Sequence, residues 1–270
     1  MMLNAINFAR SYGFEYVHTP FSFIGHAERP KEEWAAVWES LFNLGSGETP
    51  CNEKRRDVVE FSHNFTQLGK CFGSKWRWDE MAERFRAAIP EVRRKYYLNK
   101  SPVKTNQITV AVHIRRGDVS QGHPGYFTSN EVILRTIAVA QSVLNGRNVQ
   151  YKVDVHSEGG TADFAEFSRL GVKLFLNVDA VWTMKELINA DVLIMAKGCF
   201  SYCAGLISDG IKLFEPNPLP DHNAASPGWK WRSVAPAESW IPCKPDGSFD
   251  STAFERQLIL LIEAKGRWRN

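Results

Sequence analysis

The sequence predicts an α/β protein whose sheet is parallel and covered by helices on both faces. Two observations carry that expectation. In ITVAVHI at 108–114, Ile108, Val110 and Val112, with Ala111 between them, are apolar on both faces, as suits a strand covered on both sides. From that run onward, strand-length apolar segments alternate with helical-period segments through five strands, the pattern of parallel strands joined by helical crossovers. The chain has 270 residues, enough for two domains, so a second unit is expected ahead of this one.

Composition narrows the function classes. A hydrophobic share of 44% with 23% charged residues is that of an ordinary globular chain, and a net charge of +3 is too small to argue for nucleic acid. No apolar stretch reaches membrane-spanning length, and no signal peptide opens the chain, so a cytoplasmic location is expected. The five cysteines (Cys51, Cys71, Cys199, Cys203 and Cys243) are odd in number and lack CxxC spacing. Neither a disulfide framework nor a metal site is expected from them, and a reducing compartment fits best.

Taken in order, residues 3–11 carry a helical pattern closed by Gly13, and 14–18 read as a short strand before the Thr19-Pro20 turn. A Rossmann-like half begins with a strand and a glycine-bearing loop, whereas this chain begins with the helix. The expectation is an N-terminal domain (1–100) that lacks its first strand, through an early start or a shortened gene model. Residues 31–44 form an amphipathic helix with Trp34, Trp38, Leu41 and Phe42 on its core side. A short strand is expected at 58–61, followed by Ser62-His63-Asn64. A second amphipathic helix at 76–89 is expected to stop at Pro90, with a solvated turn at 93–97. Residues 100–106, KSPVKTN, are the linker candidate.

The second domain, 107–216, follows. After the 108–114 strand comes the loop SQGHPGYF, then a helix at 130–144 with Val132, Ile133, Ile137, Ala140 and Val143 in register. Strands are expected at 151–155, 172–176, 192–195 and 212–214, with helices at 162–170, 182–190 and 200–208. Residues 217–246 have no periodicity and are rich in Pro and Trp. Among them Trp229, Trp231 and Trp240 suit packing better than sugar stacking. Residues 251–265 form a terminal helix, with Phe254, Leu258, Leu261 and Ile262 on one face, expected to pack back across the first domain.

The chemistry gathers at strand ends. His113, Arg115, Arg116 and Asp118 stand at or just past the carboxyl end of the 108–114 strand, where open parallel sheets present their ligand crevice. Guanidiniums stay charged and offer a planar donor fork that matches phosphate oxygens. Gly117 permits a tight turn. A second constellation is DVLIMAKGCFSYC, where a buried strand beginning near Asp191 passes through Gly198 into a helix opening at Phe200 and Ser201. Unpaired N–H groups at a helix start can hold a phosphate, and Ser201 can cap the helix or touch the anion. A third is His156-Ser157-Glu158 at the end of the neighbouring strand.

HIRRGD resembles the HxRRxD motif of the fucosyltransferase superfamily, which binds the diphosphate of GDP-fucose. Ala190-Asp191 and Phe200-Ser201 resemble the superfamily's third motif, with Lys197-Gly198-Cys199 where small hydroxyl residues are usual. Ser157-Glu158 is similar to an element the family places near the donor nucleotide. The resemblance covers 108–215 well and the N-terminal third only through FARSYGFEYVHTPF. It implies a GT-B arrangement of two Rossmann-like halves and inverting, metal-independent transfer of fucose from GDP-fucose to a glycan or protein hydroxyl. The absence of any Asp-x-Asp motif agrees with that chemistry. It also implies that His113, Arg115, Arg116, Ser157, Glu158, Asp191, Gly198, Phe200 and Ser201 surround the donor, with no metal or further cofactor. Arg115 and Asp118 are the candidates for catalysis. Asp118 and His123 both lie in the right loop to take the acceptor's proton, and the sequence does not choose between them. Thr183 stands where the family often has an aspartate that reads guanine. Transfer of another nucleotide-linked sugar therefore stays open, as does a catalytically silent protein that binds such a donor.

Overall fold

The computed structural model describes residues 6, 9, 13–21, 30–51, 78–100, 107–123, 125–216 and 237–266. The chain divides into two compact units, 1–102 with 224–231, and 103–223 with 232–270. Most of the predicted 3–11 helix, the 58–61 strand, Ser62-His63-Asn64, nearly all of the 100–106 linker, Trp229 and Trp231 lie outside the described residues. Among the described residues, no helix is long and apolar enough to cross a membrane.

In the first unit, β1 (Val17–His18) pairs in parallel with β2 (Thr49–Pro50). Between them runs α1 (Lys31–Phe42), which buries Trp34, Ala35, Trp38 and Leu41, as its spacing predicts. The Trp34 and Trp38 rings meet edge to face at 5.6 Å. The helix α2 (Trp78–Tyr97) departs from expectation by running straight through Pro90. A proline within a helix removes one hydrogen bond and crowds the preceding turn. Here the residues beyond it are held by burial, since Ile89, Val92 and Tyr96 share a face and are all buried. Lys95, fully buried, donates to the carbonyls of Leu44 and Ser46 and pairs with Glu48, tying α2 to the turn after α1.

The second unit is built on six parallel strands. They are β3 (Ile108–Ile114), β4 (Tyr151–Ser157), β5 (Lys173–Leu176), β6 (Val192–Ile194), β7 (Ile211–Phe214) and β8 (Trp240–Pro242), in the spatial order β5-β4-β3-β6-β7-β8. Counted from β3, that order is 3-2-1-4-5-6, compatible with a Rossmann-like doubly wound sheet, and the winding reverses between β3 and β6. Connections are made by α3 (Asn130–Gly146), a 3-10 segment Thr161–Leu170 kinked at Phe164, α4 (Ala180–Asn189) and α5 (Cys199–Ile207). The chain closes with α6 (Ser251–Gly266).

Strand alternation sorts the side chains. On one face Ile108, Val110, Val112 and Ile114 join Val153, Val155, Ile194 and Leu213 in a core closed by Ile133, Ile137 and Leu144 of α3 and by Phe254 and Leu258 of α6. The terminal helix seats on this unit's own sheet, where its apolar stripe is buried. Arg147 of the α3 C-cap pairs with Glu255 at 2.6 Å and adds a polar tie. The sixth strand was not expected, because three residues ending in Pro242 are too short for any periodicity to register. Trp240 is nonetheless buried against Tyr202 and Phe214, which fulfils its predicted packing role. Proline is tolerated there since β8 is the edge strand.

Candidate functional site

The carboxyl ends of β3 and β6, either side of the switch point, bring His113, Arg115, Gly198 and Phe200 together. β3 ends at Ile114, and Arg115 reaches toward the start of α5. A methyl group placed on Gly198 would come 3.3 Å from Arg115 Nη1 and 3.5 Å from its Cδ. Gly198 is the N-cap of α5 and has extended backbone, so its value here is the absence of a side chain beneath the guanidinium. The His113 ring lies 5.2 Å from that of Phe200.

Arg115 is engaged by Asp118. Its Nε donates to Oδ1 at 3.1 Å and its Nη2 to Oδ2 at 2.6 Å, a two-pronged pair. The carboxylate holds the guanidinium above its ordinary pKa, and Tyr126 lies under it with 5.1 Å between Cζ and the ring centre. Gly117 makes the turn that returns Asp118 to Arg115. Its φ is +74°, a conformation that favours glycine, and the Glu158 carboxylate lies where a side chain would stand.

Arg116 takes the opposite course. It donates to the carbonyls of Arg115 and Thr128 and to Asn130 Oδ1 at 2.9, 3.0 and 2.7 Å, and it covers the Phe127 ring. Burial lowers its pKa. Arg115 reaches toward the start of α5, while Arg116 anchors the loop that leads into α3.

The remaining candidates divide in the same way. Ser157, buried at the end of β4, donates from Oγ to the carbonyls of Ile114 and Glu158 and ties the two strand ends together. Glu158 lies against Gly117 and so borders the loop. Ser201 is fully buried and donates to the Ala196 carbonyl at 3.0 Å, closing the turn before α5 from inside. Its backbone belongs to the α5 start, but its hydroxyl is turned inward. Asp191 stands apart from the others. It lies at the amino end of β6, accepting from the Thr109 N–H at 2.8 Å and pairing with Lys265 of α6 at 2.7 Å. It locks the terminal helix to the edge of the sheet opposite the crevice, which corrects its expected place beside the donor. His123 sits in the exposed part of the loop, its Nδ1 3.4 Å from Ser120.

Two histidines sit side by side on adjacent strands, His113 opposite His156. Among the described residues, His113 Nδ1 and both ring nitrogens of His156 have no hydrogen-bond partner. His156 is 1% exposed, stacked on Phe175 at 5.2 Å and flanked by Trp182. Burial pulls its pKa down to about 4, and burial with the neighbouring His156 and Arg115 pulls His113 down to about 3. Both imidazoles are neutral near pH 7.

Sequence reasoning missed Glu215. It follows the apolar run of β7 as Arg115 follows that of β3, a signal of the same type. Glu215 pairs with Lys197 at 2.7 Å, and both side chains are largely buried. Lys197 also donates to the Phe127 carbonyl, so the residue that replaces a small hydroxyl in the resemblance is committed to holding the turn. Between His113, Arg115, Arg116, Tyr126, Glu215 and Lys244 lies a cavity of about 30 Å³. That is room for ordered water. Among the described residues, no three His, Cys, Asp or Glu side chains converge as a metal-binding group. No protein-family model matches the chain, and no curated protein is significantly similar to it.

Proposed function

We propose that this chain is a fucosyltransferase-like glycosyltransferase, moving fucose from GDP-fucose to a hydroxyl of a glycan or protein with inversion, in a GT-B arrangement of its two units. The observation that carries the reading is the Arg115 guanidinium laid over Gly198 at the start of α5, at the switch point of a 3-2-1-4-5-6 sheet. As the bond from the sugar C1 to the β-phosphate oxygen breaks, its electron pair leaves with GDP. The acceptor oxygen bonds to C1 from the opposite face, and its proton passes to a base. Arg115 and the N–H groups of α5 meet the charge that grows on the phosphate. Donors aimed at that charge stabilise it, by less at a solvent edge than in a dry site. Arg116 supports the loop, and neutral His113 lines the donor side beside Phe200.

Thr183 supports a second reading in which the base is not guanine and another nucleotide-linked sugar is the donor. Calorimetric titration with GDP, GDP-fucose and UDP-sugars, with and without EDTA, separates the two. Tight UDP preference displaces the fucosyl assignment, and binding with neither hydrolysis nor transfer indicates a silent binding protein. Arg115→Ala is expected to abolish GDP binding while leaving the thermal transition in place. Normal GDP binding by that variant would overturn the assignment of the site.

A further inference from the structure

We infer that Asp118 is a built-in competitor for the Arg115 anion seat, and that it weakens the binding of every anion that occupies the site. This rests on the reading of Arg115 as the diphosphate receptor and names a residue that regulates how tightly that receptor holds its ligand. The Asp118 carboxylate presents two oxygens to Nε and Nη2 of Arg115, the same fork a phosphate would use. The two groups are three residues apart, joined through Gly117 in the left-handed region and a turn in which the Asp118 N–H donates to the Arg116 carbonyl at 2.9 Å. The contact is therefore local and can open without disturbing β3. Side-chain exposures of 27% for Arg115 and 42% for Asp118 place the pair at the solvent edge, where exchange for another anion costs little.

Charge arithmetic shows the competition. The N-terminus of α5 acts as about half a positive charge. With Arg115 and Asp118 closed upon each other, the seat presents roughly +0.5. With Asp118 swung away it presents roughly +1.5, and the displaced carboxylate also repels an incoming anion less. Every anion must displace the same carboxylate, so the closed pair lowers each apparent affinity by the same factor. The closed pair is the resting state.

The test is calorimetric binding of inorganic pyrophosphate and orthophosphate to the full chain, as wild type, Asp118→Asn, Asp118→Ala and Asp118→Asn with Arg115→Ala, at fixed ionic strength. Removing the competitor is expected to tighten pyrophosphate by roughly 1.5- to 5-fold, the range of an exposed ion pair converted to a population. Orthophosphate should tighten by about the same factor, because both anions must displace the same carboxylate, and the double variant should lose both gains. Weaker or unchanged pyrophosphate binding in both single variants would overturn the inference and leave Asp118 as a support of Arg115. If the wild type and both single variants bind neither anion, the receptor reading of Arg115 falls, and this inference falls with it. Tightening in the single variants that survives Arg115→Ala would keep an anion site but remove Arg115, and with it the competition, from the account.

Discussion

His156 ties the stability of the second unit to pH. An imidazole that is 1% exposed, stacked on Phe175 and without a polar partner among the described residues is held in its neutral form, with a pKa near 4 against an ordinary 6.5. Asp154 on the same strand pushes the value up and Lys152 pushes it down, and neither outweighs burial. Below pH 6.5 the unfolded chain takes up a proton that the folded chain refuses until about pH 4. Stability is therefore complete above pH 6.5 and falls as the pH drops through that window. At pH 5 the loss from His156 alone is about 2 kcal/mol, since each pKa unit is worth about 1.4 kcal/mol. For a unit of this size that lowers Tm by about 4–8 °C. His156→Phe keeps the stacking and removes both unpartnered nitrogens. Thermal unfolding followed by circular dichroism from pH 7.5 to 5 is expected to show a shallower decline for the variant than for the wild type. The variant should also melt higher at pH 7.5, because an unsatisfied buried polar atom costs about 1–3 kcal/mol. Parallel declines in the two proteins would refute the account of His156.

Gly198→Ala places a methyl 3.3 Å from Arg115 Nη1 and displaces the guanidinium, so GDP affinity should fall several-fold while Tm, measured in the same samples, stays unchanged. Asp191→Asn weakens the Lys265 tie at the opposite edge. It is expected to cost about 1–3 kcal/mol in denaturant unfolding with no change in GDP affinity, the reverse of the Gly198 result.

Much of the second unit was legible because its signals are local. Five apolar residues among the seven of ITVAVHI mark β3, and the Met195-to-Phe200 passage through Gly198 marks a strand-to-helix turn. What escaped depends on tertiary facts. Pro90 reads as a stop, but burial of Val92 and Tyr96 outweighs a single lost hydrogen bond. Trp240 to Pro242 become a strand only because β7 offers them a partner edge. Asp191 precedes β6, and the three residues of that strand separate it from the carboxyl edge of the sheet. The adjacency of Arg115 and Arg116 does not reveal that one is held by Asp118 and the other by loop carbonyls.

The two edges of the sheet differ in how their charges are held, and that difference locates function better than the charges themselves. At the amino edge Asp191 takes a backbone N–H and a lysine, while fully buried Lys212 donates to the carbonyls of Ser208 and Gly210 at 2.7 and 2.6 Å. Breaking the Lys212 contacts leaves a charge stranded away from water, which costs several kcal/mol, and losing the Asp191 tie costs about 1–3 kcal/mol. At the carboxyl edge Arg115 and Asp118 meet at the solvent boundary, where trading one anion for another costs about 1 kcal/mol or less. Lys197 and Glu215, buried next to them, fix the turn beneath. A site that must take and release a charged ligand needs a rigid floor with an exchangeable ion pair on top. Of the two edges, the one that carries Arg115 meets both conditions.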